Sequence, residues 1–394
     1  MLTRADVIVV GAGPAGSVAA QQLASQGISV ILLDQAIFPR DKTCGDGVGS
    51  HGLAVLERIG LAEWSRQYLA PEVMRLNAPD GEMLEVRPDK HDYCFGRVIP
   101  RTELDAALAQ QAVKSGAVFQ EGQKVTDITI ETGFVMASAN GDRFTSQLLI
   151  LAEGSRGTLS QRLGLVRSGP DLYALRQYYR NVTQQTTCME FHFQPWILPG
   201  YTWIFPMNDG RANVGTGTFT YRLKHEGVNL KQYLGRFAAE QQSDGKRLWG
   251  AAPDGEMKGF PLRTTLGSLE THADRLLLAG DSAGLVNPMS GEGISAGMES
   301  GEIAAQAALQ ALETGRFAAA DLAGYSNGLK QQFLPDWRAA RLFRQVLKMP
   351  TLLNHIFRRM RQDPHRALQF AYLLLNDTPQ RNLLNPLYLL RFLS

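Results

Sequence analysis

Apolar residues fall in short runs separated by glycine-rich and charged segments, and their spacing predicts the elements. Residues 6–10 (DVIVV) form a continuous β-branched run, as expected of a strand buried on both faces. Helix-forming residues fill 17–26, and 28–33 is a second apolar run. A helix is expected over 50–59, with Leu53, Val55, Leu56 and Ile59 as its apolar positions. Strands are expected across 73–86, turning at Pro79-Asp80-Gly81, and a helix over 103–114. Residues 117–144 alternate as a strand meander turning at Asn140-Gly141, and 147–151 and 276–279 are further buried strands. The stretch 165–260 is aromatic-rich, strand-like and poor in long helical patterns. A helix follows over 294–312. Residues 337–349 predict a basic amphipathic helix, with Arg338, Arg341, Arg344 and Lys348 on one face and Leu342, Phe343, Val346 and Leu347 on the other. Residues 367–375 and 383–393 are further apolar pieces, punctuated by Arg381 and Arg391.

Strands alternating with helices indicate an α/β fold, and 394 residues are enough for two or three lobes. A net charge of +2 offers no argument for nucleic acid. The charge is uneven, however: residues 331–394 hold ten Lys/Arg against three Asp/Glu. That basic tail suggests an anionic surface or partner. Cys44, Cys94 and Cys188 are too few and too scattered for a disulfide framework or a cysteine-rich metal site, and they fit a reducing compartment. The first apolar run leads straight into a glycine turn, unlike a signal peptide, and no run reaches the ~18 residues of a membrane-spanning helix. The expected location is the cytoplasm, with peripheral membrane contact through the tail as one role for it.

Gly11-Ala12-Gly13-Pro14-Ala15-Gly16 sits between the first strand and the first helix, and Asp34 ends the second strand. Gly11 permits a tight turn, Gly13 lets a pyrophosphate approach the backbone, and Gly16 lets helix and strand pack closely. The helix start offers free N–H groups to phosphates, and Asp34 is placed to accept from a ribose diol. Together they predict an ADP-containing dinucleotide. Residues 37–49 form a long loop expected to cross that ligand, where Arg40 and Lys42 could meet phosphate or a substrate anion. Cys44, beside Gly45, reads either as a small buried filler or as a thiol near a redox centre. Arg101, just ahead of a helix, reads as a cofactor contact or a solvent ion pair. Residues 152–155, with Glu153, make a second strand-to-helix junction. Gly280-Asp281 ends a strand where Asp281 can accept from a polyol. Gly291, Gly293 and Ile294 open a helix whose N-terminus suits a ring carrying negative charge, such as a reduced flavin. Tyr201, Trp203 and Phe205 alternate and so share one side of a strand, either as core or as a cavity wall. The basic helix near 337–349 reads as a cap on the body, a membrane contact or the cover of an apolar channel.

Gly11–Gly16 with Asp34, then Arg101, then Gly280-Asp281 with residues 288–293, resembles the FAD-binding core of the p-hydroxybenzoate hydroxylase type. Residues 39–45 (PRDKTCG) and Tyr201-x-Trp203-x-Phe205-Pro206, followed by Val214-Gly215-x-Gly217, are similar to the geranylgeranyl reductase family. Met207 stands where that family often has Lys, and Glu153 where Asp is commoner. The resemblance implies a Rossmann-like FAD-binding domain (1–75, 97–164 and 271–320), a sheet-rich substrate lobe (76–96 and 165–270) and a C-terminal basic helical region (321–394). It implies FAD as cofactor and no metal. It also implies saturation of isolated double bonds in a prenyl lipid, quinone tail or pigment precursor, by hydride from flavin and a proton from another donor. Tyr201, Trp203 and Phe205 would hold the chain. Cys44, Tyr201 and Trp203 would be catalytic, with Cys44 as a proton-handling thiol, and Arg40, Cys44 and Gly45 would also contact the cofactor. NAD(P)H or ferredoxin would supply electrons. The same core serves FAD monooxygenases acting on aromatic or carrier-bound substrates, which is the alternative. Halogenases of this core carry Trp-x-Trp-x-Ile-Pro, which Tyr201–Pro206 does not match. A non-catalytic flavin electron relay docked through the tail is a third reading.

Overall fold

A computed structural model describes residues 2–88, 94–183 and 187–388. A six-stranded sheet runs His272–Ala273, Leu276–Leu278, Leu148–Leu151, Val7–Val10, Val30–Leu33 and Val118–Gln120 in spatial order. All neighbouring pairs are parallel except the first. Its central strands are buried at every position, which explains their unbroken apolar runs. The helix Pro14–Ser25 makes the crossover from Val7–Val10 to Val30–Leu33. It starts three residues before the expected 17, because proline is well tolerated in a first turn, where its missing N–H has no partner to lose. A four-stranded sheet (Leu2–Arg4, Asp142–Ser146, Val135–Ala139 and Val125–Ile130) includes the expected meander, with Asn140 at φ +51° in its turn.

The second lobe is a seven-stranded sheet in the order Ala252–Leu262, Leu172–Arg180, Ala212–Phe219, Tyr201–Pro206, Cys188–His192, Val73–Asn77 and Met83–Val86. One face carries Met189, Phe191, Trp203 and Phe205 toward the cavity and the C-terminal helices. The opposite face packs Leu175, Ile204 and Val214 against the helix Leu230–Gln241. That helix corrects the expectation of a helix-poor stretch. Its buried Leu230, Leu234, Phe237 and Ala238 keep helical spacing, and the Asn229 side chain accepts from Gln232 N at 3.1 Å.

The C-terminal region also differs from its expected form. Residues 337–347 are the end of one long helix, Ala319–Leu347, with Pro335 inside it. Leu342 is 61% exposed rather than part of an inner apolar face. Arg341 instead turns inward and donates to the carbonyls of Thr264 (2.6 Å) and Leu266 (3.0 Å), and the Arg344 guanidinium lies 4.1 Å from the Phe219 ring. The helices Pro350–Gln362 and Pro364–Leu375 bury Leu353, Phe357, Met360 and Phe370 against Phe193 and its neighbours. Arg381 clamps Asp336 (2.7 Å) and ties the tail back to the long helix. The apolar piece expected over 383–393 is described only to 388, so Arg391 lies outside the described residues. No helix among the described residues is long and apolar enough to cross a membrane.

The helix Ile294–Thr314 packs closely on Pro14–Ser25. At Gly301 an added Cβ would sit 2.3 Å from the Ala15 carbonyl oxygen, so any side chain forces two backbones apart. Gly301→Val is expected to destabilise by about 1–3 kcal/mol or more, the usual scale of overpacking. The check is the thermal unfolding midpoint, which should fall clearly below that of the wild type.

Candidate functional site

A cavity of about 710 Å³ runs between the two lobes. Its walls include the glycine turn, the 40–49 loop and the 280–294 segment on one side, and Tyr201, Trp203 and Phe205 on the other. The sequence thus placed in three separate motifs what the fold brings to one space.

At the dinucleotide end, Gly11 has φ +101°, and a Cβ there would lie 2.3 Å from the Ala152 oxygen. A Cβ on Gly16 would lie 1.9 Å from the Gly11 oxygen, so both glycines are required by contact. Gly13 differs: its Cβ would meet only Arg40 Nη2, at 3.8 Å. The space beside Gly13 therefore fits a phosphate, with the guanidinium facing it and the start of the Pro14–Ser25 helix, Pro14 and Ala15 included, behind it. Asp34 lines the cavity, but both carboxylate oxygens already accept backbone N–H groups, from Ala12 (2.8 Å) and Ala36 (2.9 Å). It therefore shapes the turn as well as lining the cavity. Arg40 pairs with Asp105 at 3.0 Å.

Arg101 is buried, not solvent-paired. It holds Asp105 through two bonds of 2.7 Å and presents the rest of its guanidinium to the Cys44 thiol. Burial pushes that thiol up, and Arg101 pulls in the opposite direction. Lys42 sits over the Phe260 ring and is brought down to about 7, first by burial and then by Arg101. Gly45 packs on the wall itself: its Cβ would fall 3.4 Å from the Trp203 indole and 3.5 Å from the Phe205 ring.

The 280–294 segment completes the rim. Gly280, at φ +65°, donates to Ser300 Oγ at 2.9 Å. Asp281 lines the cavity, and burial raises its carboxyl against the pull of Lys42 and Arg101. Gly291 turns at φ +69°, and Gly293 precedes the buried Ile294 that opens the helix Ile294–Thr314. Tyr201 Oη donates to the Ser290 carbonyl, which fixes the aromatic wall to this turn. The wall is continuous: ring centroids are 6.0 Å apart for Tyr201–Trp203 and 6.2 Å for Trp203–Phe205, and Phe191 lies 5.3 Å from both Tyr201 and Phe205.

Four groups escaped the sequence reading: Asp46 and Glu292, which line the cavity, and Tyr178 and Asn213, which bond Asp46 from behind. Asp46, fully buried and pushed up to about 6 by burial, accepts from Tyr178 Oη (2.6 Å) and Asn213 Nδ2 (2.7 Å). Tyr178 and Asn213 come from strands far along the chain, so only the Gly45-Asp46-Gly47 run was visible locally. Glu292 lines the cavity, and burial pushes it up to about 7. Its signal was available as the acid inside Gly291-x-Gly293. Among the described residues no group of three or more His, Cys, Asp or Glu is arranged to hold a metal ion.

Residues 4–328 match the family model described as FAD binding domain. The chain is 33% identical over 317 residues to menaquinone reductase of Mycolicibacterium smegmatis, covering 78% of this chain and 76% of the relative. It is 30% identical over 380 residues to digeranylgeranylglycerophospholipid reductase 2 of Methanopyrus kandleri, covering 93% and 90%. A geranylgeranyl bacteriochlorophyll reductase-like structure from Thermoplasma acidophilum superposes with a TM-score of 0.81 at 24% identity, covering 90% and 92%, which shows a shared fold.

Glu292 accepts from Ser295 N at 2.6 Å, and this bond opposes the desolvation that raises it. Its folded value, about 7, lies above the ordinary 4.5, so the native state keeps a proton that the unfolded chain releases. Its stabilising contribution is complete below about pH 4.5 and is lost as pH rises through about 7. In flavin-free protein, Glu292→Gln should therefore flatten the decline of the thermal midpoint between those values. Superimposable pH profiles for wild type and variant would contradict this assignment.

Proposed function

The chain belongs to the FAD binding domain family, and from that premise we propose that it is an FAD-dependent reductase of prenyl carbon–carbon double bonds. The substrate class is a prenyl lipid, a quinone tail or a pigment precursor. The observation that carries the reading is the single cavity shared by the dinucleotide turn and the aromatic wall. The activities named for the relatives, menaquinone reductase and digeranylgeranylglycerophospholipid reductase, support it.

Bound FAD supplies the two-electron chemistry. In this reading the chain does the rest. Gly11, Gly13, Gly16 and Arg40 hold the pyrophosphate, Asp34 meets the ribose, and Asp281 meets the ribityl chain. Gly291, Gly293 and the helix start at Ile294 offer N–H groups to charge developing on the ring. An isolated alkene is poorly polarised, so alignment and exclusion of water are what the protein must provide. Tyr201, Trp203 and Phe205 give a continuous apolar surface for the chain. Cys44, with Arg101 against its thiol, handles the proton at the second carbon. The electron donor is a reduced nicotinamide or a ferredoxin. The basic C-terminal region, with exposed Leu342 and Met349 beside Arg338 and Lys348, suits an approach to an anionic lipid surface.

The test uses purified protein carrying FAD, reduced under argon and freed of excess reductant. It is mixed with a geranylgeranyl glycerol ether or a short-chain menaquinol, in which isolated alkenes are the reducible groups. The oxidised flavin band should return without oxygen, and each reduced bond should add two mass units to the product. In the same assay Cys44→Ser should slow the return by about a hundredfold at equal flavin content, the scale of a lost general acid. A band that returns only when oxygen is admitted, with an oxygenated product, would replace this reading with a monooxygenase.

A further inference from the structure

The 40–49 loop and the aromatic wall come from different lobes, yet one buried side chain ties them together. Asn213, in the strand Ala212–Phe219, has no exposed surface. Its Oδ1 accepts from Trp203 Nε1 at 2.9 Å. Its Nδ2 donates to the Cys44 carbonyl at 2.7 Å and to Asp46 Oδ2 at 2.7 Å. The orientation of the amide follows from its partners, since an indole N–H can only donate, and a carbonyl or carboxylate can only accept. Asn213 is thus used at both ends, and no other residue type of that size offers an acceptor and two donors there.

The surroundings leave little freedom for the groups it joins. Trp203 is closed in by two glycines: a Cβ at Gly215 would lie 2.1 Å from its ring, and one at Gly45 would lie 3.4 Å away. Asp46 sits at φ +63° and is held further by Tyr178 Oη (2.6 Å) and by the backbone N–H of Arg101 (3.3 Å). Its own carbonyl accepts from Ile99 N at 2.8 Å. The second lobe also reaches this loop through Tyr178 at Asp46 and through Arg176 and Lys258 at Asp41, but of these contacts only Asn213 also bonds Trp203 of the wall.

We propose that Asn213 is a positioning residue that locks the Cys44 loop to the Trp203 indole and so sets the gap between thiol and aromatic wall. Its effect on turnover rests on the reductase reading given above, whereas the positioning itself does not. Asn213 touches neither the chain nor the cofactor in this account. It acts through Cys44 and Trp203.

The test is thiol accessibility in FAD-loaded protein without substrate. Cysteines are reacted with 4,4′-dithiodipyridine and followed peptide by peptide by mass spectrometry, with buried Cys188 as internal control. Asn213→Ala should raise the Cys44 rate at least tenfold over wild type while Cys188 is unchanged, and kcat for the prenyl lipid should fall at equal flavin content. Asn213→Asp supplies a signature that a merely structural role lacks. The groups facing the new carboxyl are Asp46, the Cys44 backbone, Trp203 and Tyr178, with Arg101 and Arg176 as the nearby cations. At pH 8 two carboxylates oppose each other, so the loop opens and the rate relative to wild type rises. At pH 5 one of them takes a proton and can donate in place of the lost N–H, so the ratio returns toward one. Cys44 rates within twofold of wild type in both variants at both pH values would overturn the proposal. So would equal acceleration at Cys188, which reports general loosening. A protein that shows the labelling pattern but reduces no prenyl lipid keeps the positioning role and loses the reductase reading.

Discussion

Backbone packed directly on backbone is the constraint from which the rest of this molecule follows. Gly11 lies against Ala152, Gly16 against Gly11, and Gly301 against Ala15, each at a distance that no Cβ could share. Three segments distant in sequence therefore converge on the ends of the parallel strands: the first turn, the 152–155 junction, and the helix that follows the 280–293 turns. Their convergence gathers N–H groups and the Arg40 guanidinium around one open volume beside Gly13. A dinucleotide suits that volume because its phosphates need close approach and its hydroxyls need acceptors.

The second lobe works by the same device at its own edge. Gly45 and Gly215 leave room for the Trp203 indole, and Gly47 does so for Phe205, whose ring lies 3.4 Å from the position of a Cβ there. Large rings from one lobe can then pack closely against a loop of the other. Tyr201 is held to the Ser290 carbonyl and Trp203 to Asn213, so the wall is apolar toward the cavity and hydrogen-bonded at its margins. Behind it the C-terminal helices bury Phe343, Leu347, Phe357 and Phe370 in the same cluster. A surface that is both apolar and fixed is what an unactivated alkene requires, since it offers an enzyme few polar handles.

Much of this was legible in the sequence wherever the signal was local. The strand–turn–helix at 7–25, the alternation of Tyr201, Trp203 and Phe205, and the glycine turn ahead of Ile294 are each contained within a few residues. What escaped reading was set by distant partners. Nothing near Asp46 announces Tyr178 and Asn213, which reach it across two strands of another sheet. Arg341 reads as solvent-facing on a helical wheel, yet the carbonyls of Thr264 and Leu266 draw it inward. Leu342 is correspondingly turned out. The helix Leu230–Gln241 had its apolar spacing in plain view, but aromatic strands on either side masked it.

The central claim is that flavin and aromatic wall share one cavity, and Trp203 is its natural reporter. Among the five tryptophans only Trp203 lines that cavity. Titrating FAD into flavin-free protein while recording tryptophan emission, for the wild type and for Trp203→Phe, tests the claim directly. The account predicts that FAD quenches a component of the wild-type emission that is missing from the variant, with binding retained in both. Identical fractional quenching in the two proteins would place the flavin away from the wall and contradict it.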